Sequence, residues 1–233
     1  MTYTRPFVTR RFVAYGGDSR RQQLSLAVEV EDAFTERPVG VPLRVFIKQL
    51  PRARTLLALS GRYCFEDIPD GDYTLVIEFD PAHDWFNLHP LKPGEWEDGF
   101  ERAVKVPPPG TTDPKLRKPL VKVLLSPKPS YPFPPNATLV RGRIETKAVP
   151  PQPVAGAVVN TTYQQSDPSA PDDNNQTIPV KVETRTNAAG DYVFFFKRLP
   201  GKEQEITVIA EHDQTKVKIK EGTTQFADPL LFP

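Results

Sequence analysis

The sequence predicts an all-β chain made of two tandem Greek-key β-sandwich domains joined by a proline-rich linker. Three observations carry this prediction: the proline content, the short alternating apolar runs and a hairpin motif that occurs twice. The chain has 27 prolines in 233 residues, about twice the usual share of roughly 5%. Because proline removes a backbone donor and fixes φ, long helices are not expected.

Apolar residues alternate with polar ones in several segments, as expected for half-buried strands. In residues 24–30, Leu24, Leu26, Val28 and Val30 face one side. Further strands are predicted at 43–47, 61–65, 73–79, 120–125, 139–144, 154–160, 190–196 and 206–210. Residues 216–220 read Lys-Val-Lys-Ile-Lys, which predicts an edge strand guarded by lysines.

The hairpin motif Gly61-Arg-Tyr-Cys-Phe recurs as Gly190-Asp-Tyr-Val-Phe. The turn that follows is Ile68-Pro-Asp-Gly in the first copy and Leu199-Pro-Gly in the second. Such an internal repeat indicates two copies of one structural unit. Each leading glycine stands at a turn that needs a residue tolerant of positive φ. One hairpin buries too little surface to be stable alone, so each copy is expected to pack against a second sheet.

The order Gly-x-Tyr-x-Phe, then Leu/Ile-Pro-x-Gly, then an alternating strand resembles the carboxypeptidase regulatory-like family, also called transthyretin-like or prealbumin-like. Pro153-Val-Ala-Gly-Ala-Val-Val fits another segment of that family closely, and Pro38-Val-Gly-Val-Pro-Leu-Arg-Val fits it loosely. The resemblance covers most of 137–233 and, more weakly, about 22–125. It implies an Ig-like or prealbumin-like sandwich in each half. It implies no single activity, because such modules occur in peptidases, adhesins, transporters and secretion machines.

These patterns divide the chain into an N-terminal arm, two domains and a linker. Residues 1–21 form the arm, and residues 22–125 form the first sandwich domain. An aromatic insertion at 80–102 interrupts that domain. Residues 126–136 are rich in proline and are expected to act as a stiff spacer. Residues 137–233 form the second sandwich domain.

Charge and cysteine content narrow the classes of partner. The formal net charge is +1, from 30 basic and 29 acidic side chains, which argues against bulk electrostatic binding to nucleic acid or an anionic membrane. No apolar stretch approaches the ~20 residues of a membrane helix, and no signal-peptide core is present. The sequence therefore predicts cytoplasmic synthesis without membrane insertion. Cys64 is the only cysteine, and a buried, unreactive thiol is expected there.

The N-terminal arm contains the first group of candidate partner-binding residues, Phe7, Arg10, Arg11 and Phe12. A run of basic residues is usually solvated, and a solvated arm is the preferred interpretation. The other interpretation is an arm that docks on an acidic partner surface, because aromatic and arginine side chains commonly anchor interfaces.

The insertion at 80–102 contains the second group, Trp85, Phe86 and Trp96, which includes both tryptophans of the chain. Large aromatic side chains are usually buried, so the insertion is expected to be a flap over one end of its own sandwich. The alternative is a partner-binding surface.

The sequence contains no recognisable catalytic or metal-binding motif, so neither an enzyme nor a bound cofactor or metal is predicted. His83, Asp84 and His89 lie close together in the sequence, but their spacing matches no known metal site. The loop with Asp172 and Asp173 lacks the spaced ligands of a calcium-binding loop. Phosphate-binding loops, nucleophile elbows and Cys-x-x-Cys motifs are absent from the sequence.

The sequence favours a non-catalytic structural or adaptor subunit of a larger protein assembly. The specific hypothesis is a component of a bacterial phage-tail-like particle or contractile injection system, released after assembly in the cytoplasm. The expected partners are other protein subunits, with a homo-oligomer as one form of the assembly. The alternative hypothesis is a carbohydrate- or peptide-binding module that uses the aromatic insertion of the first domain.

Overall fold

A computed structural model describes residues 10–15, 18–96, 99–108, 120–167, 169, 176–201, 203–211 and 213–233, with the backbone alone for the residues before Gln23. The described chain is all-β, which confirms the predicted fold class. Its only helical segment is a short 3₁₀ turn, Pro81–His83. The strands are β1 Arg10–Tyr15, β2 Asp18–Asp32, β3 Arg37–Pro38, β4 Leu43–Ile47, β5 Thr55–Leu57, β6 Tyr63–Glu66, β7 Gly71–Phe79, β8 Phe86–Leu88, β9 Glu101–Val106, β10 Leu120–Pro127, β11 Thr138–Thr146, β12 Val158–Ser166, β13 Thr177–Arg185, β14 Asp191–Phe196, β15 Glu203–Ala210, β16 Asp213–Lys220, β17 Thr224–Phe226 and β18 Leu230–Phe232.

Residue contacts divide the chain into two compact units. Unit 1 comprises residues 1–83 and 98–125, and unit 2 comprises residues 84–97 and 126–233. Residues 84–97, the central part of the predicted insertion at 80–102, therefore group with unit 2. Among their contacts, Trp85 packs edge-on to Tyr131 and Trp96 donates a hydrogen bond to Glu183.

Unit 1 is built from two sheets. One is seven-stranded, with the order β5-β6-β2-β10-β8 and with β1 and β3 also bonded to β2, and the other has the order β4-β7-β9. Strand β8 of the first sheet lies in the residues that group with unit 2. Strand β2 runs antiparallel to β6 and parallel to β10. The predicted alternation in β2 is confirmed, since Leu26, Val28 and Val30 are at most 2% exposed. Leu75 and Ile77 of β7 contribute buried side chains from the other sheet.

Unit 2 is also a two-sheet sandwich. One sheet has the order β14-β11-β17, with β18 also bonded to β11, and the other has the order β13-β12-β15-β16. Strand β11 runs antiparallel to β14 and parallel to β17 and β18. The core lies between the sheets, because one buried cluster draws residues from both. The first sheet contributes Val140, Ile144, Tyr192, Phe194 and Leu230, and the second contributes Val159, Tyr163, Ile206, Val208 and Ile219.

The internal repeat seen in the sequence reappears in the strand orders. The hairpin strands β6 and β14 each pair antiparallel with the first long strand of their sandwich, β2 or β11. The following strands, β7 and β15, each lie inside the second sheet. The units differ in their added strands: β5 pairs with β6 and both β1 and β3 pair with β2 in unit 1, whereas β13 pairs with β12 in unit 2. Strand β16 ends its sheet and alternates exposed lysines with buried Val217 and Ile219, which confirms the predicted edge strand.

Residues 10–15 form a strand where the sequence predicts a free arm. Strand β1 pairs antiparallel with β2, so that Arg10 lies opposite Gln23 and Tyr15 lies opposite Asp18. Strand β2 itself begins at Asp18, before the predicted start at residue 24. Strand pairing gives these backbone groups hydrogen-bond partners that a free arm would find only in water. Residues 10–15 therefore belong to a β-hairpin, and whether their side chains are solvated or contact a partner stays a prediction.

Gly61 and Gly190 adopt positive φ values of 78° and 76°, which confirms the predicted need for glycine at both turns. A Cβ added at Gly61 would lie 3.2 Å from the side chain of Pro38. A Cβ added at Gly190 would lie 3.2 Å from Cβ of Pro153 and only 2.5 Å from the carbonyl oxygen of Ile144. The two prolines come from matching repeat segments, so a proline of the same segment lies beside the turn glycine in both units.

Gly190→Ala is expected to lower the free energy of unfolding of unit 2 by about 2 kcal/mol or more. A left-handed backbone costs a non-glycine residue about 1–2 kcal/mol, and the new methyl group also meets the Ile144 carbonyl. Gly61→Ala should cost unit 1 about 1–2 kcal/mol, because only a side chain obstructs the methyl group. Hydrogen exchange measured by mass spectrometry across a denaturant titration gives the two values separately.

Gly40→Ala and Gly201→Ala are the matched controls, one in each unit. Nothing lies within 4 Å of a Cβ added at either position, so each change should alter stability by less than about 0.5 kcal/mol. Equal costs for Gly190→Ala and Gly201→Ala would contradict the assigned turn geometry.

Candidate functional site

The first group of predicted partner-binding residues lies at or before the start of the described chain. Phe7 is outside the described residues. Arg10, Arg11 and Phe12 lie in β1, where their backbones pair with residues 23, 22 and 21 of β2. These three residues therefore belong to a hairpin.

The second group packs against the proline-rich segment in unit 2. The ring of Tyr131 lies edge-on to Trp85 and Phe86, with centroid distances of 6.3 and 5.4 Å. Phe133 follows at 4.7 Å from Tyr131. We call these four residues the aromatic layer. Phe86 is only 3% exposed, so its side chain contributes packing and is not open to a partner.

Polar contacts fix the start of the 84–97 segment to the same proline-rich stretch. The Lys128 ammonium forms an ion pair with the Asp84 carboxylate. The Ser130 hydroxyl donates to the Asp84 carbonyl at 2.6 Å, and the Lys128 N–H donates to the Trp85 carbonyl at 2.7 Å. Residues 126–136, predicted as a spacer, therefore supply packing and hydrogen bonds within unit 2.

Glu183 of β13 holds the other end of the segment. One of its carboxylate oxygens accepts a hydrogen bond from the Trp96 indole N–H at 2.5 Å and another from the Gly94 N–H at 2.8 Å. A hydrogen bond to a charged acceptor is among the stronger kinds. The polar edge of Trp96 is thus already engaged within the chain.

Arg141 of β11 lies at the border of the aromatic layer. Its guanidinium carbon lies 5.7 Å from the centre of the Phe133 ring, and its Nη1 donates to the Pro129 carbonyl at 2.8 Å. The side chain is half-buried and forms no ion pair among the described residues. Since a guanidinium has five N–H donors, most of its capacity for an anionic partner is unused.

A cavity of about 530 Å³ opens on unit 2 beside this arginine. It arises at a gap in strand pairing, because β17 pairs with residues 139–141 of β11 and β18 pairs with residues 144–146. Gly142 and Arg143 lie in the gap and line the cavity. We call it the Arg141 pocket; its walls also include Asp191, Tyr192, Phe226 and Pro229.

The two arginines of the Arg141 pocket differ in their partners. The Arg143 Nε donates to Asp191 at 2.8 Å, and Arg143 Nη1 lies 3.7 Å from Glu145. The hydrogen bond that Arg143 donates to Asp191 is the main cause that raises the pKa of Arg143 above its ordinary value. Arg143 is therefore ion-paired, whereas Arg141 has no carboxylate partner among the described residues. Phe226, the register partner of Arg141, is 77% exposed at the rim.

Tyr192 forms a wall of the pocket with a buried and unpaired hydroxyl. The side chain is fully buried, and its hydroxyl has no hydrogen-bond partner among the described residues. Burial strongly raises the pKa of Tyr192, because the phenolate would be desolvated. A Cβ added at Gly142 would lie 2.3 Å from that hydroxyl, so the tyrosine lies across the glycine of the neighbouring strand. In unit 1 the matching tyrosine, Tyr63, lies opposite Val28 and is only half-buried.

A smaller cavity of about 270 Å³ lies in unit 1 where the edges of its two sheets meet at β4 and β5. The Thr55 hydroxyl donates to the Val45 carbonyl at 3.0 Å, and the Tyr63 hydroxyl donates to the Leu43 carbonyl at 3.4 Å. The two carbonyls lie on the unpaired edge of β4. Because side chains already bond them, a strand of another chain is less able to pair with this edge. Leu57 at the rim is 65% exposed.

The described residues contain no group of His, Cys, Asp or Glu side chains arranged to hold a metal ion. His89 Nδ1 lies 2.7 Å from the Ser126 hydroxyl, whereas Asp172 and Asp173 lie outside the described residues. Cys64 is half-buried, and burial raises the pKa of its thiol. Within the described chain, no helix has the length and apolar character needed to cross a membrane.

Comparison with known proteins finds several similar solved structures. Three of them are the Bacillus anthracis TIE protein (11% identity, TM-score 0.29, 89% of this chain and 34% of that chain), a streptococcal ancillary pilin (10%, 0.29, 87% and 61%) and a minor pilin of Streptococcus agalactiae (12%, 0.26, 90% and 97%). The chain thus spans about a third and three fifths of the first two proteins. No protein-family model matches the sequence, and no curated protein matches it. The resemblance to the carboxypeptidase regulatory-like family therefore stays a prediction.

Tyr192→Phe is expected to raise the free energy of unfolding of unit 2 by about 1 kcal/mol. A buried hydroxyl without a partner costs about 1–3 kcal/mol, and phenylalanine removes that cost while keeping the ring. The matched control is Tyr163→Phe, because the Tyr163 hydroxyl donates to Gln165 at 3.0 Å; this change should lower stability by about 1 kcal/mol. Denaturant unfolding measures both, and a loss of stability in Tyr192→Phe would contradict the assignment.

Trp96→Phe should loosen residues 84–97, because it removes the N–H bonded to Glu183. Loss of a hydrogen bond to a charged group costs about 1.5–3 kcal/mol, seen as faster hydrogen exchange in 84–97 and in β13. Leu91→Ala is the control, since Leu91 is 78% exposed and should leave exchange unchanged. Unaltered exchange in Trp96→Phe would instead favour a free, ligand-facing tryptophan.

Proposed function

We propose that this chain is a non-catalytic structural or adaptor subunit that binds other proteins through unit 2. The observation that carries the proposal is Phe226, a 77% exposed aromatic side chain at the rim of a pocket beside an arginine that has no carboxylate partner among the described residues. Aromatic and arginine side chains are the commonest anchors of protein interfaces. An exposed aromatic residue beside a concave surface is an arrangement that a partner side chain can fill.

Unit 1 carries a second surface suited to binding a partner protein. Leu59 is fully exposed and Leu57 is 65% exposed, and Leu57 lines the cavity at the meeting edges of β4 and β5. Each unit thus combines a cavity with a large exposed apolar side chain at its rim. A chain with one such surface on each unit can hold two partners at once, which is the role of an adaptor.

The finer proposal is a component of a phage-tail-like particle or contractile injection system that is made in the cytoplasm and later released within the particle. Two features support it: the two tandem β-sandwich domains, and the exposed apolar side chains at the rims of the two cavities. Genes for sheath and tube proteins next to the gene of this chain would support it.

The carbohydrate-binding alternative needs aromatic faces that are open to a sugar. Phe86 is buried, Trp85 lies edge-on to Tyr131 and Trp96 is bonded to Glu183. These contacts leave the alternative with less support than protein binding. A peptide ligand remains compatible with the Arg141 pocket, whose rim is apolar and whose wall is cationic.

The chain is expected to migrate as part of a complex larger than a monomer when native cell extracts are separated by size. Phe226→Ser should reduce the complex-bound fraction about 10-fold, since an interface anchor contributes about 2 kcal/mol or more. Val149→Ser is the matched control, because Val149 is 97% exposed and lies outside the pocket. Native extracts that contain only free monomer would contradict the proposal.

A further inference from the structure

The Arg141 pocket is closed along the strand direction. Strands β17 and β18 both pair with β11 in parallel, one on each side of the unpaired Gly142 and Arg143. A partner strand cannot run through this gap, because β17 and β18 occupy its two ends. A group can enter only from outside, as a single side chain or as the end of a chain.

The arginine without a carboxylate partner is the group in the pocket that favours an anionic ligand. Arg143 is paired with Asp191 and Glu145, whereas Arg141 has no carboxylate partner among the described residues and bonds only the Pro129 carbonyl. A partly buried guanidinium gains most from a carboxylate that accepts two parallel N–H bonds.

An apolar surface lies directly beside this cation. Phe226 and Arg141 are register partners on adjacent parallel strands, so their Cα atoms are about 4.8 Å apart and their side chains leave the sheet on the same face. Pro229 extends the apolar wall. A suitable ligand therefore carries a carboxylate and an apolar group within the span of one residue.

We infer that the Arg141 pocket binds the C-terminal residue of a partner polypeptide, with its α-carboxylate on Arg141 and an apolar side chain against Phe226. A C-terminal residue attaches both groups to one Cα, which matches the spacing of Arg141 and Phe226. A Glu or Asp side chain would need a second residue to supply the apolar group. This inference rests on the proposed function and assigns its binding site.

The test is a titration of the full ¹⁵N-labelled chain with N-acetyl-L-phenylalanine, followed by NMR. The expected result is a saturable shift of the Arg141 side-chain Nε–H and of the backbone amides of Gly142 and Phe226. N-acetyl-L-phenylalanine amide, which lacks the charge, should bind at least about 10-fold more weakly. Equal shifts with the acid and the amide would overturn the inference.

A second arm uses the α-amide of N-acetyl-L-glutamic acid, which offers a side-chain carboxylate without an apolar neighbour. Weaker binding of this probe is expected. Binding as tight as that of N-acetyl-L-phenylalanine would overturn the assignment to a chain terminus.

Arg141→Gln should weaken binding of N-acetyl-L-phenylalanine at least about 10-fold, because the charge-assisted hydrogen bonds are lost. Arg44→Gln is the matched control, since Arg44 also stacks on an aromatic ring, 4.6 Å from the centre of Phe46, but lies in unit 1; it should bind as the parent chain does. Dispersed NMR spectra verify folding of both variants, and unchanged affinity in Arg141→Gln would overturn the inference. If the acid fails to bind while native complexes are observed, this inference alone fails; if native extracts hold only monomer, the proposed function fails.

Discussion

Strand β11 is the element on which unit 2 depends, because every strand of its sheet bonds to it. Its antiparallel pairing with β14 places Tyr192 across Gly142, and its parallel pairing with β17 and β18 leaves the Arg141 pocket between them. The inward residues Val140 and Ile144 are fully buried and hold the strand in register. The position of Arg141 on the outer face follows from the same alternation. Packing and the candidate site are thus set by one strand.

The repeated hairpin has the same strand pairing in units 1 and 2 but different surroundings for its tyrosine. Both units place a hairpin beside a central strand and use a positive-φ glycine against a proline at its start. They differ in the residue opposite the repeated tyrosine, which is Val28 in unit 1 and Gly142 in unit 2. Glycine leaves room for the ring to lie across the strand, whereas valine keeps Tyr63 outside, where its hydroxyl reaches the Leu43 carbonyl. The repeated tyrosine is therefore fully buried where it faces glycine and half-buried where it faces valine.

The sequence predicted the fold class, the repeat, the two turn glycines and the lysine-guarded edge, because each depends on local alternation or on backbone conformation. It missed β13, although Ile178, Val180 and Val182 alternate, because the polar residues before them indicated a loop. The pocket could not be predicted in the same way. Arg141 lies in a predicted strand, but its neighbour Phe226 is brought alongside by pairing between distant segments. The destination of Trp85 was likewise set by tertiary packing on Tyr131.

The location of both tryptophans in residues 84–97 has a practical optical consequence. Trp85 and Trp96 are the only indoles in the chain, and both belong to unit 2. Tryptophan fluorescence, excited at the red edge of the absorption band, therefore reports on unit 2 alone. Unit 1 has no tryptophan and contributes no signal. Far-ultraviolet circular dichroism, in contrast, measures the backbone of both units. A difference between the melting curves recorded by fluorescence and by circular dichroism therefore shows that the two units unfold independently.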